Sequence, residues 1–323
     1  MKISIIGAGA WGTAVALSSF EGGHAVTLIT KSQQDADEIN AHHENLTFFP
    51  GIRIPENIVA TPEYTSLESC EAVFLICPSS AIDDVCTHIK THGLDPSIPI
   101  FSFCKGLPGA TWEPPSMFIG RHFPDNRFGV LSGPSYAREV ALGLPTKLVL
   151  ASADNCCKNI PISFKNMAVE YADDVIGVEL GGCLKNIYAI GAGVIDGLRL
   201  GDNAKCSYIA ACLGEMVYVG KALGAREATF SGPSGLGDLL ATCSGAWSRN
   251  RTFGENIANN KNPKEFVEHS VAAIEGYRSA KTFRDIFLEK GISAPIIGAV
   301  YGVLYGQALS PEWMRETLLR AVF

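Results

Sequence analysis

Two hydrophobic rhythms divide this chain. Through its first half, short apolar runs rich in β-branched residues recur at 2–6, 25–29, 72–77, 100–104, 129–132, 148–151 and 169–172. Several are apolar almost without interruption, as strands of a parallel sheet covered on both faces must be. Between them lie stretches whose apolar residues return at helical spacing, among them 12–21, 33–41 and 81–91. Such alternation predicts a doubly wound α/β sheet. Beyond about Asp174 the strand signal stops. Longer helical patterns follow at 178–198, 204–223, 235–243, 273–289, 296–307 and 311–319, punctuated by Gly201, Gly224, Gly291 and Pro295. The expectation is a sheet-based domain over 1–175 and an all-helical domain over 176–323.

The turn after the first strand narrows this. Gly7-Ala8-Gly9-Ala10-Trp11-Gly12 is a G-x-G-x-x-G between a strand and a helix, the context the dinucleotide fingerprint requires. Gly7 permits the tight turn, Gly9 lets backbone approach a pyrophosphate, and Gly12 lets helix and strand pack closely. The helix N-terminus supplies N–H groups and a positive dipole end for phosphates. The first domain therefore reads as a Rossmann fold. NAD-specific sites carry Asp or Glu about 20 residues further on. Here the segment is Leu28-Ile29-Thr30-Lys31-Ser32. It has no carboxylate, and Lys31 offers a cation for a 2′-phosphate. The reading is for NADPH in preference to NADH.

Composition excludes several classes. At 323 residues, 47% hydrophobic and 18% charged, the chain can bury two cores. A net charge of −7 argues against nucleic acid or an anionic membrane as the main partner. Ten scattered cysteines without a C-x-x-C pair read as reduced thiols of a cytosolic protein. No His, Cys, Asp or Glu spacing calls for a metal. Strand 2–6 follows the first methionine directly, leaving no room for a leader. The apolar run near 187–195 is shorter than the roughly 20 residues a membrane span needs. A cytoplasmic protein with no membrane insertion is expected.

The chemistry concentrates on Lys185. It stands in Leu180-Gly181-Gly182-Cys183-Leu184-Lys185-Asn186-Ile187, a stretch otherwise almost free of charge. A buried ammonium is costly until it finds a partner or loses its proton. Downstream, Gly235-Leu236-Gly237-Asp238 brings a carboxylate beside glycines, either to hold Lys185 or the substrate or to cap the next helix. Ser248-Arg249-Asn250 offers a planar guanidinium and two further donors for a phosphate, with Arg251 read as a surface charge. Gly133-Pro134-Ser135 follows a strand, where Ser135 is expected to cap a helix. Lys105 also follows a strand.

Seven segments in order resemble bacterial NAD(P)-dependent glycerol-3-phosphate dehydrogenase along essentially the whole chain. They are Gly7 to Thr13, Cys104-Lys105-Gly106-Leu107, Ser132 to Ala137, Val178 to Asn186, Gly235 to Leu239, Ser248 to Arg251, and Glu275-Gly276-Tyr277. The resemblance implies reduction of dihydroxyacetone phosphate to sn-glycerol 3-phosphate with NADPH or NADH (cofactors NADP and NAD), feeding glycerophospholipid synthesis. It implies Lys185 as the catalytic residue. It implies substrate contacts at Lys105, Gly133, Ser135, Asp238, Ser248, Arg249 and Asn250, to which Asn186 is added from its place beside Lys185. Cofactor contacts are implied at Ala10, Trp11, Lys31, Lys105, Ala137, Arg249, Ala273 and Glu275, besides Gly7, Gly9 and Gly12. Relatives imply a homodimer. Ala10 stands where the family often has Ser, and Ala273 where Val is commoner. Two rivals share the plan: a hydroxyacid or ketoacid reductase, and a non-catalytic NADPH-binding sensor.

Overall fold

A computed structural model describes residues 1–259, 261–270, 273–306 and 310–322. It divides into two compact units. The first holds Met1–Cys104 and Glu113–Val175; the second holds Lys105–Trp112 and everything from Ile176 onward that is described. The division by hydrophobic rhythm has one cut. The folded chain instead gives residues 105–112, an excursion from the middle of the first unit, to the second.

The first unit is built on an eight-stranded sheet. Its strands are β1 (Lys2–Ile6), β2 (Ala25–Ile29), β5 (Val59–Thr61), β6 (Ala72–Leu75), β7 (Ile100–Ser102), β8 (Phe128–Ser132), β9 (Thr146–Ala151) and β10 (Met167–Ala172). Their spatial order is β10-β9-β8-β7-β6-β1-β2-β5. Successive residues of one strand serve opposite faces. Ala72 and Phe74 join one core with Ile5 and Phe101, while Val73 and Leu75 join another with Ile6 and Ile100. Helices α1 (Ala10–Glu21), α2 (Gln33–His42), α3 (Ile82–His92), α4 (Pro115–His122) and α5 (Ala137–Ala141) accompany the sheet. The order reverses direction at β1, flanked by β2 and β6 with Ile5 opposite Leu28 and Phe74. Ligands of open α/β sheets bind at such a switch point, beyond the carboxyl ends of the strands.

Two features depart from the expected all-parallel pattern. β9 runs antiparallel to β8, and β10 runs parallel to β9, so the last two strands are reversed as a pair. The β8–β9 connection carries only the five-residue α5, less than a usual parallel crossover. A small hairpin of β3 (Glu44–Asn45) and β4 (Phe49–Arg53) lies between α2 and β5, where the hydrophobic pattern indicated no strand.

Every regular element described in the second unit is helical. α6 (Val175–Gly197), α7 (Asp202–Ala222), α9 (Asp238–Ser244), α12 (Glu275–Glu289), α13 (Pro295–Tyr305) and α14 (Pro311–Val322) correspond to the six patterns read above. Gln307, the expected end of α13, lies outside the described residues. The short α8 (Glu227–Phe230), α10 (Arg249–Ala258) and α11 (Pro263–Glu268) were not anticipated. α6 is long and apolar enough to cross a membrane, but 89% of its apolar window is buried inside the protein. It is the core helix of this unit, with Leu184, Ile187, Tyr188 and Ile190 fully enclosed. Its glycines admit neighbouring backbone. A Cβ on Gly181 would stand 2.3 Å from the Ser234 carbonyl oxygen, so α6 presses on the π-helical turn Pro233–Gly237 that leads into α9.

Candidate active site

The turn 7–12 has the conformation its glycines permit. Gly7 has φ +116, and a Cβ there would lie 2.4 Å from the Ile76 carbonyl oxygen beyond β6. A Cβ on Gly12 would meet the Gly7 oxygen at 1.8 Å. Gly9 differs, because a Cβ built there meets nothing within 4 Å. It caps α1 without any side-chain bond to the first turn. Beside it, the buried Trp11 Nε1–H has no hydrogen-bond partner. An open cradle at Gly9, an N-terminus without a side-chain cap and an orphaned buried donor fit a dinucleotide phosphate group. Ala10 lies within this first turn.

Lys31 is exposed, two residues past β2 and directly before Ser32, whose side chain caps α2 by accepting from the Asp35 N–H. Gly133 is buried with φ +149. Ser135 does not cap the following helix as expected. Its Oγ donates to the Gly133 carbonyl at 2.8 Å, and Tyr136 holds the cap position of α5, which Ala137 opens.

In the second unit several predicted residues meet. Asp238 is the first residue of α9 and only 1% exposed. It does not cap that helix; Gly237 occupies the cap position and the carboxylate is used elsewhere. Lys185 Nζ, from α6, donates to Asp238 Oδ1. Lys105 Nζ, from the excursion, donates to Oδ2 at 2.8 Å. Thr242 Oγ1 lies 3.4 Å from Oδ1. One buried carboxylate thus holds two ammonium groups from segments far apart in sequence. Burial pushes the Lys185 amine down to about 7. Asp238 opposes this by favouring the charged form, and the Lys105 cation reinforces it. An amine that titrates near neutrality can give and take a proton at physiological pH.

A chain of amides sets this geometry. Asn186 Nδ2 donates to the carbonyl oxygens of Lys105 and Gly182, each at 3.2 Å. Its Oδ1 accepts from Asn250 Nδ2 at 2.9 Å, and Asn250 Oδ1 accepts from the Gly276 N–H at 3.0 Å. Both amide hydrogens of Asn186 are therefore engaged within the protein, while Asn250 retains one. Gly276 must be glycine, for a Cβ there would sit 2.4 Å from the Asn186 carbonyl oxygen. Ser248 caps α10, accepting from the Arg251 N–H at 3.2 Å. Arg249 is exposed, with Glu275 as a nearby countercharge. Ala273 is exposed just before α12.

Arg251 corrects the sequence reading. It is no surface charge: its side chain is 15% exposed, pairs with Asp196 at 2.8 Å and donates from Nε to the Gly245 carbonyl. The sequence offered a second positive charge in a run and nothing to show where its partner lay. Among the described residues no group of His, Cys, Asp and Glu could hold a metal, and all ten cysteines are free.

Residues 2–158 match the family model for the N-terminus of NAD-dependent glycerol-3-phosphate dehydrogenase, and 174–315 match the model for its C-terminus. The chain belongs to the NAD-dependent glycerol-3-phosphate dehydrogenase family. It is 37% identical to glycerol-3-phosphate dehydrogenase [NAD(P)+] of Thiobacillus denitrificans, over 100% of this chain and 99% of that one. It is 36% identical to the Shouchella clausii protein of the same name, over 99% and 96%. Glycerol-3-phosphate dehydrogenase from Coxiella burnetii, solved at 2.1 Å, superposes with a TM-score of 0.92 at 33% identity, covering 98% of each chain. A ketopantoate reductase from Ralstonia eutropha shares the fold alone, with a TM-score of 0.60 at 15% identity.

Proposed function

We propose that Lys185, held by Asp238, is the proton donor of an NAD(P)H-dependent reduction. The enzyme reduces dihydroxyacetone phosphate to sn-glycerol 3-phosphate, the reaction of its family, and the reverse oxidation uses the same groups. The observation that supports the role of Lys185 most strongly is the Lys105–Asp238–Lys185 cluster.

The bound nicotinamide supplies the hydride. Lys185 gives its proton to the carbonyl oxygen as that oxygen gains charge, and its ammonium stabilises the developing alkoxide beforehand. Asp238 fixes the direction of the amine, and Lys105 keeps its proton labile. Arg249, with Ser248 and the remaining Asn250 N–H, receives the substrate phosphate; a planar guanidinium suits that group. The Ser248 hydroxyl keeps its hydrogen for donation, because in the helix cap it only accepts. Asn186 acts through the Lys105 backbone instead of touching substrate. Gly133 and Ser135 contribute further substrate contacts. On the cofactor side we assign Gly7, Gly9, Ala10, Trp11, Gly12, Lys31, Lys105, Ala137, Arg249, Ala273 and Glu275, with Lys31 favouring NADPH. The region 1–175 carries the nucleotide-binding role and 176–323 the catalytic one. We further place the enzyme as a cytoplasmic homodimer supplying glycerophospholipid synthesis, on the strength of its family.

Loss of NADPH absorbance on mixing with dihydroxyacetone phosphate tests the reading, run beside 2-ketoacids and 3-ketoacids. Turnover confined to the phosphorylated ketone supports it. Preference for a ketoacid would favour the first rival, and cofactor binding without turnover of any substrate would favour the sensor.

A further inference from the structure

Excursion Lys105–Trp112 delivers the Lys105 ammonium to Asp238, yet it has no helix or strand to fix it. Among the described residues, 106–112 make no backbone–backbone hydrogen bond. Carbonyl oxygens in such a segment need other donors when they leave water. Leu107 is only 3% exposed. Its carbonyl oxygen accepts from Arg278 Nη2 at 2.7 Å, and that of Pro108 accepts from the same nitrogen at 2.6 Å; the Gly109 oxygen lies at 3.5 Å. Arg278 stands in the first turn of α12, three residues past Glu275. Asn186 also holds the segment by the Lys105 carbonyl, and apolar anchors stand at Leu107 and at Trp112, whose ring centroid lies 6.4 Å from that of Phe283 on α12.

We propose that Arg278 is a positioning residue whose guanidinium clamps the 105–112 excursion onto α12 and so keeps the Lys105 ammonium at Asp238. The proposal rests on Lys185 being the proton donor. Arg278 suits the task because its guanidinium never deprotonates and satisfies two adjacent carbonyls from one nitrogen. The charged groups that act on Lys185 among the described residues are Asp238 of α9 and Lys105 of the excursion. The Cys243 thiol of α9 also feels Lys185, but burial holds it at about 12, so it stays neutral. Release of the excursion withdraws a cation from Lys185 and leaves Asp238 to it alone. Both changes favour the ammonium.

The test is the pH profile of kcat/KM for dihydroxyacetone phosphate reduction in wild type, Arg278→Ala, Arg278→Gln, Lys105→Met and the Arg278→Ala/Lys105→Met double variant. Wild-type activity should fall as pH rises through about 7. Lys105→Met and Arg278→Ala should each move that midpoint up by roughly half a unit or more. The double variant should move it no further than Lys105→Met, since the two act through one interaction. A drop in Tm with an equal loss of rate at every pH and an unmoved midpoint overturns the proposal. So does a double variant whose shifts add. Should Arg278→Ala not fold, Arg278→Gln carries the comparison. The pH dependence of Lys185 acetylation, read by mass spectrometry, must show the same shift independently of turnover. Should wild type prove inactive on dihydroxyacetone phosphate, the functional reading fails, while the labelling profile still decides the role of Arg278.

Discussion

Asp238→Asn removes the anion on which both ammonium groups converge and keeps the size of the side chain. Its oxygens hold Lys105 at 2.8 Å and Lys185 on the other side, at a residue 1% exposed. At that separation and an effective dielectric of about 20, one such attraction is about 6 kcal/mol before desolvation. Removing one partner of a buried pair costs about 3–5 kcal/mol in practice. An opposite charge shifts a pKa by about 1–3 units. Burial and Lys105 already act to lower the Lys185 amine, which rests at about 7 only because Asp238 opposes them. Without the carboxylate its midpoint should fall by roughly two units. At pH 7 the acid form then falls to roughly a hundredth, and kcat/KM for reduction drops by about 10–10²-fold. The assay is NADPH oxidation from pH 5 to 9, with NADPH affinity and Tm measured in parallel. Recovery of activity toward acid pH is expected. A midpoint within roughly 0.3 unit of wild type, with kcat/KM at pH 7 reduced less than about threefold, would refute the idea that Asp238 sets the state of Lys185.

Two predictions concern the cofactor. Lys31→Ala should raise KM for NADPH with little change for NADH, because an exposed cation past β2 matters only to the 2′-phosphate; an unmoved ratio of kcat/KM values rejects that role. Gly9→Val should leave the Tm of the free protein within a few degrees, since a Cβ at Gly9 meets no atom within 4 Å. It should weaken NADPH binding, measured by fluorescence titration, by about tenfold or more, equivalent to about 1.4 kcal/mol.

Much of the fold could be read because burial on both faces writes itself into composition. The runs at 72–77 and 100–104 are apolar because Val73 and Phe74, on opposite faces of one strand, are both enclosed. Strand direction is not written that way. β9 and β10 have the same apolar signature whichever way they run, so their reversal was invisible. The hairpin of β3 and β4 is too short for a period to emerge, and α10 is too polar to signal a core-facing stripe until its contacts with α6 are known. In the site, Lys185 announced itself as a charge in an apolar setting. Asp238 was legible as a carboxylate beside glycines, but its grip on two lysines depends on positions 53 and 133 residues away. Arg278 gave no signal, since the carbonyls it holds lie about 170 residues upstream and carbonyls carry no side-chain identity.

Replacing the amine itself is the most direct trial of the account. Lys185→Met keeps the length and apolar contacts of the side chain on α6 and removes only the proton and the charge. Single-turnover reduction of dihydroxyacetone phosphate, followed at the NADPH band, should slow by about 10²–10⁴-fold while NADPH affinity holds within about twofold. A variant that keeps more than roughly a tenth of the wild-type rate would contradict Lys185 as the proton donor.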